Sequence, residues 1–303
     1  MMGAALLLPA LSKKGGNPFA GRWDITITAG NTSYPDWMEF TEKDPNPEVR
    51  IQPRGGSVRP VKEVRMEGAN LILTITPAAA KRPAVVWELS VSGDKLTGKQ
   101  KRGDTVIAQI AGVRAPELKR KPPKAWAAPE PIFNGKDLTG WEPDKPAENH
   151  WVAQDGVLLN ESKGANLRTT RKFDDFKLHV EFNCPEDGNS GVYLRGRYEV
   201  QVEYEPSGRE DGLHSMGSIY GMLAPQVEFP RKPSEWESFD ITLVGRHVTF
   251  ARNGKIAIDN QEIPGITGGA IDANEGEPGP FYIQGDHTGG MKYRNITVSV
   301  PKK

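Results

Sequence analysis

The chain has 303 residues, 37% hydrophobic and 26% charged, which is a globular composition with enough length for two domains, each with its own core. Lysine plus arginine and aspartate plus glutamate balance at 39 each, so there is no electrostatic footprint for nucleic acid or for an anionic membrane. A single cysteine, Cys184, excludes an intrachain disulfide and a cysteine zinc site, and 33 glycines with 25 prolines favour short strands and turns over long helices.

Gly3 through Ser12 is an apolar run followed by Lys13-Lys14-Gly15-Gly16. It is too short for a membrane span and resembles the apolar region and small-residue end of a signal peptide. Residues 1–17 are therefore expected to be a signal-peptide remnant or a disordered tail, and the protein to be exported, periplasmic or extracellular. No other segment has the length and apolarity of a span.

From Gly21 to Arg114 short alternating runs follow one another, among them Trp23-Asp24-Ile25-Thr26-Ile27, residues 70–75 and residues 86–91. Turn signals at Glu67-Gly68, Ser92-Gly93-Asp94 and Arg102-Gly103-Asp104 separate them. Residues 18–114 are expected to form a small antiparallel β-barrel or sandwich, with Trp23 as core filler. Residues 115–130 are rich in proline and lysine and read as an extended linker.

Strands resume at residues 156–159, 176–182, 191–202, 238–244 and 247–251, with Asn253-Gly254 as a tight hairpin before residues 255–258. The last runs are 279–284 and 291–300. About ten strands without a convincing helix make residues 131–303 a two-sheet sandwich of jelly-roll type, and the chain all-β.

The chemistry concentrates at residues 189–202. Read as one strand, it places Val192, Leu194, Gly196, Tyr198, Val200 and Val202 on a core face. Tyr193, Arg195, Arg197, Glu199 and Gln201 share the other. An aromatic ring, guanidinium, carboxylate and amide in a row suit a sugar: the ring stacks, planar polar groups bond hydroxyls, and the carboxylate moves a proton. A solvated outer sheet face would carry a similar pattern. A second cluster runs Tyr282-Ile283-Gln284-Gly285-Asp286-His287, followed by Lys292-Tyr293-Arg294. Tyr282 and Gln284 share a face, as do Lys292 and Arg294, and His287 opens a glycine-rich turn where an acid or base would sit. The acidic run at residues 272–277 lacks the spacing of a calcium loop, and no phosphate loop, dinucleotide fingerprint or serine elbow occurs.

With these residues in view, the second half of the chain resembles the 3-keto-disaccharide hydrolase domain family, which is similar in fold to concanavalin-like lectins and family 16 glycoside hydrolases. The matching elements run in order from residues 133–141 through Trp151-Val152-Ala153-Gln154-Asp155-Gly156, Asn189-Ser190-Gly191-Val192 and Tyr198-Glu199-Val200-Gln201-Val202. Gly217-Ser218-Ile219-Tyr220-Gly221, Glu235-Trp236, Asn253-Gly254 and Tyr293-Arg294-Asn295-Ile296 complete them. The chain departs from the family pattern at Glu237, where asparagine is usual, and at His287, which stands one place later than the family histidine.

The resemblance implies cleavage of glycosides oxidised at the sugar 3-position, with a sugar 3-dehydrogenase as functional partner making the ketone. A 3-ketone acidifies the C2 hydrogen, so a base removes it, the C1 substituent leaves, and water adds to the double bond. In this chain the base would be Glu199 or His287, and the electrophile for the enolate Arg195, Lys292 or Arg294. Gln201, Gln284, Tyr193 and Tyr220 would orient the sugar. No cofactor is expected from the sequence; a divalent metal on the enolate is compatible with the resemblance, although no ligand motif for one is present. The competing reading is a non-catalytic, lectin-like carbohydrate-binding module of an exported protein, since such sandwiches serve binding equally well.

Overall fold

The computed structural model describes residues 16–76, 83–204 and 212–302. The apolar run read as a signal remnant, up to residue 15, lies outside the described residues.

Nine strands make up the N-terminal half: β1 (Gly21–Ala29), β2 (Thr32–Thr41), β3 (Glu48–Gln52), β4 (Arg59–Pro60), β5 (Glu63–Glu67), β6 (Asn70–Ile75), β7 (Val85–Ser92), β8 (Lys95–Arg102) and β9 (Thr105–Arg114). They form one sheet in the order β4-β3-β2-β1-β9-β8-β7-β6-β5. Its two edges, β4 and β5, are separated in sequence by only Val61 and Lys62, which reach roughly 11 Å at most. Nine strands laid flat would put those edges far further apart at ~4.8 Å per step, so the sheet must curl round on itself. The result is an up-and-down barrel held shut by β1 pairing with β9.

The inward residues fill that barrel. Trp23, Ile25 and Ile27 from β1 pack with Met38, Phe40, Val49, Ile51, Leu71, Leu73, Trp87 and Leu89. Trp23 is fully buried and its indole N–H donates to the Phe19 carbonyl at 2.8 Å. As expected from the sequence, it is core filler.

The outward face of β1 and β2 meets the second half of the chain. Trp37 neighbours Met38 but points the other way, and it is buried in the other core. A Cβ at Gly265 would come within 2.7 Å of the Trp37 ring, so glycine there lets the indole seat. Asp24 is buried against Glu275, where burial, then the Glu275 charge and a hydrogen bond to it, hold the Asp24 proton far above the ordinary carboxylate range. Glu275 is itself paired with Arg246 at 3.2 Å and accepts from the Tyr198 hydroxyl at 2.7 Å. At the seam a buried Asp24 that holds its proton thus sits beside the Glu275–Arg246 ion pair.

The linker is a strap. The carbonyl of Pro116 accepts from Arg246 at 2.8 Å, and the Ala127 N–H donates to Val300 at 2.8 Å. Its last residues already belong to the sandwich, because β10 (Glu130–Pro131) pairs with the final strand.

The sandwich contains β11 (Trp141–Pro143), β12 (Trp151–Gln154), β13 (Val157–Asn160), β14 (Leu167–Thr169), β15 (Phe176–Asn183), β16 (Asn189–Leu194), β17 (Tyr198–Glu203), β18 (Trp236–Val244), β19 (His247–Arg252), β20 (Lys255–Glu262), β21 (Tyr282–Ile283) and β22 (Met291–Ser299). One sheet runs β12-β13-β22-β15-β18-β19-β20 with β10 joined to β22, and the other runs β11-β14-β21-β16-β17. The chain is all-β, with a single 3-10 turn at Pro146–Glu148 among the described residues. Phe176, Phe182, Phe239, Phe250, Tyr198, Val200 and Ile283 belong to the apolar core. Asn253 and Gly254 both take positive φ, 51° and 75°, which is what a two-residue primed hairpin turn requires. No helix among the described residues is long and apolar enough to cross a membrane.

Candidate active site

The segment read as one strand from 191 to 202 is a hairpin. β16 and β17 are joined by Arg195-Gly196-Arg197, with Arg195 at φ 53° and Gly196 at φ 69°, and the Arg197 N–H closes the turn on the Leu194 carbonyl at 3.0 Å. Three residues is an odd loop, so odd-numbered residues stay on one face across it: Tyr193 opposes Glu199 and Gly191 opposes Gln201. The even residues Val192, Leu194, Tyr198, Val200 and Val202 enter the core, each no more than 2% exposed.

Strand β21 extends the same face. Tyr282 pairs with Tyr193, and the Gln284 N–H donates to the Gly191 carbonyl at 2.9 Å. Two rows result across three strands, Tyr282–Tyr193–Glu199 and Gln284–Gly191–Gln201. The Tyr193 and Tyr282 rings meet edge to face at 4.8 Å. Gly191 is the niche in the second row: a Cβ there would lie 2.9 Å from Glu199 Cγ and 3.0 Å from its Cδ. Gly191→Ala is therefore expected to push the carboxyl group aside and cost activity by about 10²-fold without unfolding the sheet, read by steady-state rates beside circular dichroism.

These rows floor a cavity of about 460 Å³. Tyr193, Glu199, Gln201, Tyr220, Gln284 and His287, all singled out from the sequence, line it, together with Asn189. Tyr282, Asp286 and two glycine pairs, Gly55-Gly56 and Gly268-Gly269, also line it. The glycine pairs and Asp286 were not singled out; doubled glycines in loops were the signal for a close backbone approach.

Glu199 is 4% exposed. Burial pushes its carboxyl group up, a hydrogen bond from Tyr193 offsets part of this, and the charges of Asp286 and Glu203 add to it, so that its pKa stands at about 8. Other buried acids of the sandwich are neutralised differently. Glu237 is paired with Arg252, and Glu275 with Arg246. Glu199 makes no ion pair among the described residues. The Gln201 amide donates to Glu203, while its buried Oε1 has no hydrogen-bond donor among the described residues.

His287 stands at the rim with its side chain 46% exposed, and its Nδ1 lies 2.8 Å from Asp286 Oδ1. Burial would raise the Asp286 pKa, but hydrogen bonds with His287 and Asn166 outweigh it and hold the carboxylate below its ordinary range. Asp286 thereby fixes the ring and leaves Nε2 for other partners. Tyr220 is set edge-on to His214 at 4.9 Å.

Three residues expected to meet the enolate are elsewhere. Arg195 leaves the sheet face because it sits in the turn: it is fully buried and donates to the Gly245 carbonyl at 2.7 Å, to Tyr198 at 3.2 Å and to Asp174 at 3.3 Å. It braces one hairpin tip against another. Arg197, also in the turn, is held by Asp272 at 2.7 Å. Lys292 and Arg294 lie on β22, in the opposite sheet, where Arg294 bonds Glu181 at 2.6 Å and stacks over Trp236 at 3.9 Å. No lysine or arginine lines the cavity among the described residues.

Among the described residues, no three His, Cys, Asp or Glu side chains are arranged so that they could hold a metal ion. Cys184 is buried with its thiol pushed up to about 12 by burial first, which makes it inert.

Among solved structures, one provisionally described as a glycosyl hydrolase from Parabacteroides distasonis is 31% identical over 56% of this chain and 82% of its own, with a TM-score of 0.48. A second so described from the same organism is 20% identical over 57% of this chain and 93% of its own, with a TM-score of 0.47. A Trypanosoma rangeli sialidase is 10% identical over 91% of this chain and 64% of its own, with a TM-score of 0.36. No curated protein matches the chain. The sequence profile of the 3-keto-α-glucoside-1,2-lyase-like domain matches residues 128–299, more than half of the chain and all of the strands that build the cavity floor. The chain belongs to the 3-keto-α-glucoside-1,2-lyase-like domain family.

Proposed function

We propose that the protein cleaves glycosides carrying a ketone at C3, by elimination followed by hydration, with Glu199 as the base. The observation that carries this reading is an acid buried at the floor of a polar cavity, without a cationic partner among the described residues, and with a pKa of about 8. A purely structural carboxylate at that depth is normally paired. A base for C–H chemistry works best when its pKa lies near the working pH, and burial supplies that here.

In this reading each step falls to a group that lines the cavity. Glu199 takes the C2 proton, and the electron pair becomes the enolate at C2, C3 and the C3 oxygen. Hydroxyl and amide donors on the cavity wall, Tyr220, Tyr282 and Gln284, take the place of the cations expected from the sequence in meeting the developing charge. The C1–O bond then breaks, and His287, held by Asp286, gives the leaving oxygen a proton. Water adds to the C1–C2 double bond, its oxygen to C1 and a proton to C2. The balance is glycoside plus water giving 3-keto sugar plus free alcohol. Gln201 lies on the floor beneath the sugar, beside Glu199. A dehydrogenase that oxidises C3 must act first to supply such a substrate.

The test compares a 3-keto-glucoside with its unoxidised parent, following release of the aglycone. Release from the keto sugar alone is the expected result. Release from both would replace this reading with an ordinary glycosidase, and binding without release with a lectin-like module.

A further inference from the structure

We propose that the N-terminal barrel is a working part of this site: the loop between β3 and β4, residues 53–58, is the cavity wall that limits the size of glycoside admitted. The inference rests on reading the cavity as the glycoside site. It concerns a part of the chain outside the family match, which begins at residue 128.

The loop reaches the cavity as backbone. Gly55 and Gly56 line it, facing Gly268 and Gly269 of the sandwich. The approach is close enough that a Cβ on Gly268 would lie 3.0 Å from the Gly56 nitrogen. The Gly269 N–H donates to the Arg54 carbonyl at 2.9 Å, which ties loop to sandwich by a main-chain bond. From the outward face of the barrel, which it shares with its cross-strand neighbour Trp37, the buried Gln52 amide clamps the turn by donating to Pro53 and Gly56 carbonyls at 2.7 and 2.8 Å.

Beyond the glycines the contacts continue toward the substrate face. Ser57 hydrogen-bonds His214, and His214 packs edge-on against Tyr220, which itself lines the cavity. A Cβ at Gly221 would lie 3.1 Å from that of Ser57, so the segment carrying Tyr220 is moulded against the loop. Trp37, buried in the sandwich core, holds the barrel from which the loop projects. A wall fixed at so many points behaves as a rigid boundary.

Its two glycines have a further property. A Cβ on Gly55 or Gly56 would meet nothing within 4 Å. The wall is therefore set back by missing side chains, and the space they leave is available to the substrate. Gly56 has φ 78° and resists substitution, but Gly55 does not. A large side chain at Gly55 should shorten the cavity without straining the turn.

The full-length Gly55→Trp variant and the wild type are compared on 3-keto-glucosides with methyl, 4-nitrophenyl and glucosyl leaving groups, with thermal melts in parallel. The expected result is an unchanged melt and a KM for the disaccharide raised about tenfold or more beyond the change for the methyl glucoside. The same KM ratio across the three substrates in both proteins would overturn the proposal while leaving the keto-glycoside reading intact. If the wild type turns over none of them, that reading fails. Ligand-observed NMR with the unoxidised disaccharide then decides the wall: weaker binding by Gly55→Trp supports it, and equal or absent binding overturns it.

Discussion

Glu199→Gln is expected to lower kcat/KM on a 3-keto-glucoside by about 10²–10⁴-fold while the protein stays folded. The amide is nearly isosteric and fits over Gly191 where an added Cβ would not, so geometry is kept and only the proton acceptor is lost. Buried uncharged side chains are also easier to accommodate than a carboxylate, and the variant should melt no lower than the wild type. The pH profile carries the assignment. Proton abstraction needs the ionised carboxylate, so with that step rate-limiting wild-type kcat/KM should climb with pH and level off above about 8, following the raised pKa of Glu199. With leaving-group departure rate-limiting, the need for a protonated His287 turns the plateau into a fall. The rising limb should vanish in the variant. An unchanged limb in Glu199→Gln would move the base to another group, with His287 the first to examine.

Arg252→Met is expected to destabilise the sandwich by about 3–5 kcal/mol, measured by urea unfolding, because it strips buried Glu237 of the one cation paired with it among the described residues. Arg252 Nε donates to Glu237 at 2.7 Å, its Nη2 to the other carboxylate oxygen at 2.8 Å, and the Tyr204 hydroxyl joins the same cluster. The double replacement Arg252→Met with Glu237→Leu should recover much of the loss, since no charge then remains to be solvated. If the single and double variants are equally unstable, packing and not the ion pair dominates at this position.

The fold was legible because strand alternation and turn residues act locally. Asn253-Gly254 shows this: its two positive φ values come from residue types that tolerate them. Curling of the first sheet was less legible, since it follows from which strands become edges and how few residues join them. At the site, the odd-numbered face of residues 189–202 could be read because the turn that interrupts it has odd length. Arg195 and Arg197 could not, because they occupy that turn, and a turn residue no longer follows the pleat. Lys292 and Arg294 are near Tyr282 and Gln284 in sequence yet lie in the opposite sheet, a separation that only pairing partners reveal. The loop at residues 53–58 is more than 130 residues from Glu199 along the chain. Nothing local in it announces a role at a distant cavity.

The three-residue turn between β16 and β17 makes the site sensitive to counting. Loss of one residue from Arg195-Gly196-Arg197, or gain of one, would rotate every later side chain of the strand through half a turn. Val200 and Val202 would then face the cavity, while Glu199 and Gln201 would be driven into the apolar core. A homologue that keeps the glutamate but changes the length of this turn would carry the right letter in the wrong direction. Indels at these three positions should therefore be selected against as strongly as replacement of the acid itself, and turn length becomes a criterion for deciding which related sequences retain the chemistry.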